Sequence, residues 1–335
     1  MRNYNKENNP DLKKNPSQFS LNIKAKRLVD LMIDNSDKLK IEVKKSGDGA
    51  TIVDCGIKVK GSYEAGKSLT EICLAGLGKV GLTEMHFNSY SLPAISVSTD
   101  SPAIACLGSQ MAGWKIKSEE YFAMGSGPAR ILAEKPREIY ELLNYSERSN
   151  VAVIVLESAA PPTDSLLKEL AKACHVDPKR LYVLVAPTTS LAGSTQVSGR
   201  AVEAGLLKLR NLGFDVRKVK SATGLAPIAP VVSDNSQMMG RVNDMLLAAG
   251  QAWYEAEIGK MEIDKLISRM PSSASKEYGI PFYDILKKAN FDFYKIDPEL
   301  FSVAKVTITD IKTEKKYNAG KLDIALLKKT LQLNG

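Results

Sequence analysis

The chain has 335 residues, 44% of them apolar, which is enough for two domains of ordinary size with real cores. No apolar run approaches the roughly 18 residues that a membrane helix needs. The first ten residues lack the apolar centre of a secretory signal, so a soluble cytoplasmic protein with no membrane partner is expected. The net charge of +8 favours anionic partners. Nucleic acid is the weaker candidate, because basic runs never exceed two residues and the aromatics do not interleave with arginines.

Residues 1–20 are rich in Asn, Lys and Pro and read as a flexible extension. Ser20 is placed to cap a helix over 21–36. The runs 41–45 and 51–55 flank the turn Ser46-Gly-Asp-Gly49 and read as a hairpin. A helix over 67–78 follows Glu64-Ala-Gly-Lys67. The middle of the chain alternates: a buried strand over 151–156, a helix over 163–174, a strand over 181–185, a helix over about 197–212 and a strand over 216–219. That β-α-β-α-β run implies a partly parallel sheet covered by helices. Sites in such sheets form outside the carboxyl ends of the strands, so Ala186–Ser194 and Ser221–Ala229 are expected to line a pocket. A long helix over 236–257 comes next. Near the C-terminus a hairpin (305–309 with 316–318), Ala319-Gly-Lys321 and a helix over 323–333 echo the pattern near residue 65. The echo reads equally as a faint repeat or as chance. The expected organisation is an N-terminal α/β domain over 21–148 and a central domain over 149–295. The echo allows residues 296–335 to join the first.

The chemistry-bearing residues are few. Cys55, Cys73, Cys106 and Cys174 form no C-x-x-C motif and are expected to be reduced and mostly buried. Cys174-His175 has nothing nearby to complete a zinc set, and no metal is expected. With two histidines in the chain, acid–base work falls to carboxylates. Arg200 and Glu203, three apart at the start of a helix after a strand and loop, share a helical face. They read either as an exposed salt bridge, worth about 0–1 kcal/mol, or as a pair that positions and polarises a water. Gly125-Ser126-Gly127 with Arg130 reads either as a tight turn or as an anion site, with backbone N–H groups at a helix N-terminus and a guanidinium fork. It is neither a P-loop nor a dinucleotide fingerprint. Thr223-Gly224, in a stretch stiffened by Pro227 and Pro230, is a wall for a flat ring or a structural loop. Arg241, Asn243 and Asp244 lie near a helix start, where the Asn and Asp could hydrogen-bond a heterocycle's amide edge or merely pin a loop.

Taken together these segments resemble the methenyltetrahydromethanopterin cyclohydrolases, one-carbon enzymes of methanogenic archaea and some methylotrophic bacteria. The resemblance runs from about residue 21 to 334. It is carried by Val-Asp-Cys-Gly (53–56), Tyr-Phe-Ala-Met-Gly-Ser-Gly-Pro-Ala-Arg (121–130), Leu-Val-Ala-Pro-Thr (184–188), Ala-Pro-Ile-Ala-Pro (226–230), Asp-Phe-Tyr-Lys-Ile-Asp-Pro (292–298) and the Arg-x-x-Glu of Arg200 and Glu203. The extension at 1–20 and the basic net charge depart from the family pattern. The resemblance implies two α/β domains facing each other with the active-site pocket between them, a homotrimer, and no cofactor. It implies reversible hydrolysis of 5,10-methenyltetrahydromethanopterin to the 5-formyl compound in the one-carbon metabolism of methanogenesis. Arg200 and Glu203 would be catalytic. Gly125, Ser126, Gly127, Arg130, Thr223, Gly224, Arg241 and Asn243 are the candidate substrate contacts. A basic rim at Arg130 or Arg241 would receive the substrate's anionic tail. The rival readings are another pterin- or folate-linked one-carbon enzyme, and a non-enzymatic protein that binds anionic ligands or RNA.

Overall fold

The computed structural model describes residues 20–88, 90–117 and 121–332. The extension expected over 1–20 lies outside these residues apart from Ser20. The Ser20 hydroxyl accepts from Ile23 N at 3.1 Å, capping α1 (Leu21–Asp34), whose Ala25, Val29 and Met32 turn inward. The short α2 (Ser36–Leu39) leads into the hairpin of β1 (Glu42–Lys45) and β2 (Thr51–Asp54). Helix α3 (Tyr63–Cys73) starts earlier than its spacing suggests, because Ser62 caps it by accepting from Ala65 N. Next come β3 (Gly78–Phe87), β4 (Tyr90–Thr99), a π-helix (Ala103–Gln110), β5 (Trp114–Lys117), β6 (Phe122–Ser126), α4 (Ala129–Ala133) and α5 (Arg137–Leu143).

The middle run begins as the sequence predicts. β7 (Ala152–Glu157), α6 (Asp164–Ala173) and β8 (Leu181–Ala186) follow in order, with Thr163 capping α6 and the two strands parallel. The helix expected over 197–212 is two helices, α7 (Leu191–Ser198) and α8 (Ala201–Asn211), broken at Gly199-Arg200. The next strand is displaced: residues 216–218 form a 3₁₀ turn and β9 runs Val219–Pro227. Most of the loop expected over 221–229 is therefore strand. Helix α9 (Asn235–Ala249) stops before Gly250, and β10 (Gln251–Ala256) takes up the rest of the helix expected to 257. Helices α10 (Lys260–Leu266) and α11 (Phe282–Lys288), the hairpin of β11 (Lys305–Asp310) and β12 (Lys316–Gly320), and α12 (Ile324–Leu331) complete the chain. The two Ala-Gly-Lys strings do not mark a repeat. Ala65-Gly-Lys67 lies inside α3, whereas Ala319-Gly320 ends β12.

Two six-stranded sheets result, ordered β1-β2-β8-β7-β6-β5 and β12-β11-β10-β9-β4-β3. The mixed α/β class agrees with expectation, but a border at 148/149 does not separate the sheets. Strands β1, β2, β5 and β6 share the first sheet with β7 and β8, while β3 and β4 share the second with β9 to β12. The β-α-β-α-β run is therefore split, its last strand belonging to the other sheet.

The layers follow from which face of each strand is apolar. In the first sheet Val153, Val155, Leu184 and Ala186 face α1 and α3, and Ile154, Leu156, Val183 and Val185 face α6. This is the alternation a strand imposes. In the second sheet Ala222, Ala226, Ala252 and Tyr254 face α8 and the π-helix, and α9 and α12 pack over the opposite side. Helices α3, α7 and α8 and the π-helix fill the space between the sheets, α3 touching both β7 and β3. The functional pair is built in that middle layer.

Candidate active site

Close packing fixes the break between α7 and α8. A Cβ on Gly199 would stand 2.7 Å from Thr70 Cγ2 of α3, so only glycine fits the approach. The chain leaves α7 there, and Arg200 becomes the residue that precedes α8. Glu203 falls in the first helical turn, where exposed N–H groups favour a negative group. Neither residue is on the surface: each keeps 8% exposure, which rules out the exposed salt bridge.

The Arg200 guanidinium is gripped by neutral acceptors. Nη1 donates to Gln110 O at 2.8 Å, and Nη2 donates to Ser126 Oγ at 3.0 Å and Gln196 Oε1 at 3.1 Å. Glu203 Oε2 is farther, 3.5 Å from Nη1. Gln110 belongs to the π-helix, Ser126 to the end of β6 and Gln196 to α7, so Arg200 links the helix of one layer to a strand of the other sheet. Gln110 also donates through Nε2 to Gly199 O at 3.0 Å, tying the π-helix to the α7–α8 break. Burial pushes the Glu203 carboxyl above its ordinary range, opposed by the charges of Arg200 and Arg130.

Of the candidate substrate contacts, Ser126 joins the pair directly. Gly125 faces the other way: a Cβ there would meet Ile116 and Ile154 under the far face of the sheet. Gly127, at φ +98°, makes the tight turn and donates its N–H to Ser109 O at 2.8 Å. Arg130 offers no fork to a ligand. It is fully buried, with Nε on Lys135 O at 2.8 Å and Nη1 on Leu107 O and Ser109 O at 3.2 and 3.1 Å. Helix α4 has only five residues and carries this cation inward, because the carbonyl end of the π-helix faces it. The expected rim role of Arg130 is thus excluded.

Gly224 lies where β9 touches the start of α8; a Cβ would stand 2.9 Å from Val202 N. Thr223 is exposed on the opposite face of the same strand, so the two cannot line one wall. Asn243 donates to Met239 O one turn back, at 2.8 Å, and Arg241 is half-buried with Nη1 on Pro230 O at 3.3 Å. Asn243 and Asp244, expected to meet a heterocycle's edge, both stand on α9 with structural partners, Asp244 accepting from Phe282 N and the Thr330 hydroxyl, which is the pinning alternative.

The residues that sequence reasoning missed are Gln110 and Gln196, which orient Arg200; Glu157 and Thr188 form a separate hydrogen-bonded pair. Glu157 ends β7 on the same face as Val155, beside Met124 in register, and accepts from the Thr188 hydroxyl. Among the described residues no three His, Cys, Asp or Glu side chains are grouped to hold a metal ion. An open groove of about 830 Å³ lined by Leu212, Phe214, Met261 and Lys265 lies at the far end of α8, roughly 13 Å along the helix from Glu203.

Fold and geometry together define an α/β enzyme scaffold with an acid and a cation held between two sheets. Comparison makes the class specific. The cyclohydrolase (MCH) family model matches residues 20–331. A methenyltetrahydromethanopterin cyclohydrolase of Methanocaldococcus jannaschii is 48% identical over 93% of this chain and 98% of its own. Those of Methanothermobacter marburgensis and Methanococcoides burtonii are 47% and 43% identical, covering 94% and 92% of this chain and 99% and 97% of theirs. The chain belongs to the MCH cyclohydrolase family.

Proposed function

We propose that this protein hydrolyses 5,10-methenyltetrahydromethanopterin reversibly to the 5-formyl compound, in the one-carbon metabolism that supports methanogenesis. The observation that carries the reading is the buried Glu203 carboxyl, pushed toward neutrality, with Arg200 steadied beside it between the sheets. Near-full-length similarity to the named relatives favours it over another pterin- or folate-linked enzyme and over a non-enzymatic anion- or RNA-binding protein.

The methenyl carbon sits between two nitrogens and shares their positive charge, so it is electrophilic without a Lewis acid. No metal or prosthetic group is needed on that chemistry. Glu203 holds a water against one face of the carbon and takes one of its protons as the C–O bond forms. The adduct then expels N10: Glu203 returns the proton to that nitrogen as the C–N bond breaks. The remaining hydroxyl proton leaves to solvent as the formyl C=O forms. Arg200 steadies the carboxyl in one orientation and limits how far burial raises its pKa.

The finer parts of the reading are the pocket in the cleft between the sheets, the anionic tail and the assembly. With Arg130 closed off, Arg241 is the arginine left for the substrate's phosphate or carboxylates. Hydrogen bonding of Ser194 Oγ to Ala229 O keeps its loop against α7. A homotrimer in the cytoplasm completes the proposal; no helix among the described residues is long and apolar enough to cross a membrane. The deciding experiment mixes the purified protein with the methenyl pterin and follows its near-ultraviolet absorbance. Steady loss that depends on enzyme concentration supports the reading, and an unchanged spectrum rejects it.

A further inference from the structure

The guanidinium beside the acid is held by three acceptors that carry no charge, each closer than Glu203. Gln110 offers only its backbone carbonyl, and Ser126 a hydroxyl at the end of β6. Gln196 is different. It is 2% exposed, stands one turn before Arg200, and aims its side-chain oxygen at Nη2. We propose that Gln196 is a positioning residue: its amide oxygen, with the π-helix carbonyl and the β6 hydroxyl, holds the guanidinium so that Glu203 is steadied without being locked in a tight ion pair. The role rests on the hydrolysis proposed above. It gives a physical reason for a neutral amide at a place where a carboxylate would bind arginine more strongly.

A tight Arg–Glu pair would hold the carboxyl ionised and poor at returning a proton. A loosely held one can do both steps. The groups facing Glu203 from each packed element are Arg200, Arg130 of α4, Cys73 of α3, Cys106 of the π-helix and Tyr254 of β10. Burial pushes the Cys73 thiol up to about 11 and raises Cys106 and Tyr254 as well, so these three stay neutral around pH 7. An acid-side limb in the rate profile therefore reports Glu203.

The test is the pH dependence of kcat and kcat/KM in Gln196→Met and Gln196→Glu. Met keeps the bulk and removes the acceptor, so Arg200 closes on Glu203. The acid-side limb should move down by about one pH unit, with kcat lower by about tenfold and KM held. Glu neutralises Arg200 and should move the limb up. Ser194→Ala, on the same helix but bonded to Ala229, should lower stability and leave the limb in place. Loss of rate in the Met variant with an unmoved limb reduces Gln196 to a structural part and overturns the proposal; should the Glu variant fail to fold, the Met variant decides. A carbon-13 carboxyl titration of Glu203 in substrate-free protein, assigned with Glu203→Gln, reads the same shifts without turnover. Shifts as stated in a protein that does not hydrolyse the pterin would reject the hydrolysis and keep the positioning. Turnover with neither limb nor carboxyl moved would do the reverse.

Discussion

Glu203 and Asp244 are both buried acids, and in both burial drives the carboxyl toward its neutral form. Their surroundings differ in kind. Asp244, on α9 outside the second sheet, accepts from Phe282 N at 3.0 and 3.1 Å and from the Thr330 hydroxyl at 2.6 Å, and so joins α9, α11 and α12. Among the described residues Glu203 has one cation within 4 Å, Arg200 at 3.5 Å, itself drawn elsewhere, with Arg130 acting from farther off. An acid saturated by donors from two other helices is a joint. An acid with one loose partner keeps an oxygen for chemistry. Burial alone does not separate structural from reactive carboxyls; the donors do.

Four substitutions press on this contrast, beginning with the largest effect. Glu203→Gln keeps the shape and removes the proton carrier. Turnover should fall by about 10²–10⁴-fold with KM little changed, read from absorbance decay; near-wild-type turnover would take Glu203 out of the mechanism. Asp244→Asn acts on stability instead. The folded carboxyl is raised from 3.8 to about 7, so the native state holds an extra proton between about pH 4 and 7. Wild-type stability should then fall as pH rises through that window, by on the order of 4 kcal/mol at most, and level off above it. Denaturant midpoints at three pH values should show the slope in wild type and lose it in the asparagine variant. A slope that survives assigns the window to other groups.

Arg130→Met carries the comparison over to the cations. It strands the carbonyls of Leu107, Ser109 and Lys135 and should cost at least about 3 kcal/mol. Measured well below its lowered melting temperature, the variant should keep its KM. A raised KM at unchanged stability would restore Arg130 to the substrate. Arg241→Glu should do the opposite at the smallest scale, leaving stability alone and raising KM a few-fold, more at low salt. An unchanged KM would leave the tail without its proposed partner.

The sequence revealed what short-range chemistry writes. Ser20 announces a helix start because its hydroxyl serves an N–H group three residues on; Thr163, counted within its helix by the sequence reading, does the same for α6. Arg200 and Glu203 stood out by spacing, and the family resemblance gave them a role. Other features depend on partners far along the chain. Gly224 suggests a loop when read locally, yet it sits inside β9 because α8 crosses it too closely for a Cβ. Tyr254 lies in a stretch read as helix, though the alternate burial of Ala252, Tyr254 and Ala256 is the mark of a strand. Arg130 resembled an anion fork because nothing nearby foretells the π-helix carbonyls that occupy it. Gln110 lies 90 residues from Arg200, and no periodicity joins them.

The threading of the chain bears on how the protein is made. It passes between the sheets three times, and the hairpin of β3 and β4 finds its neighbour β9 only after more than a hundred further residues. On a ribosome, that hairpin's open edge must wait while the other sheet is synthesised, exposed to mispairing until residues 219–227 emerge. Neither sheet is a contiguous piece of chain, so cutting the gene in two yields no autonomous half. Assembly is a late event, governed by long-range closure rather than by any early module.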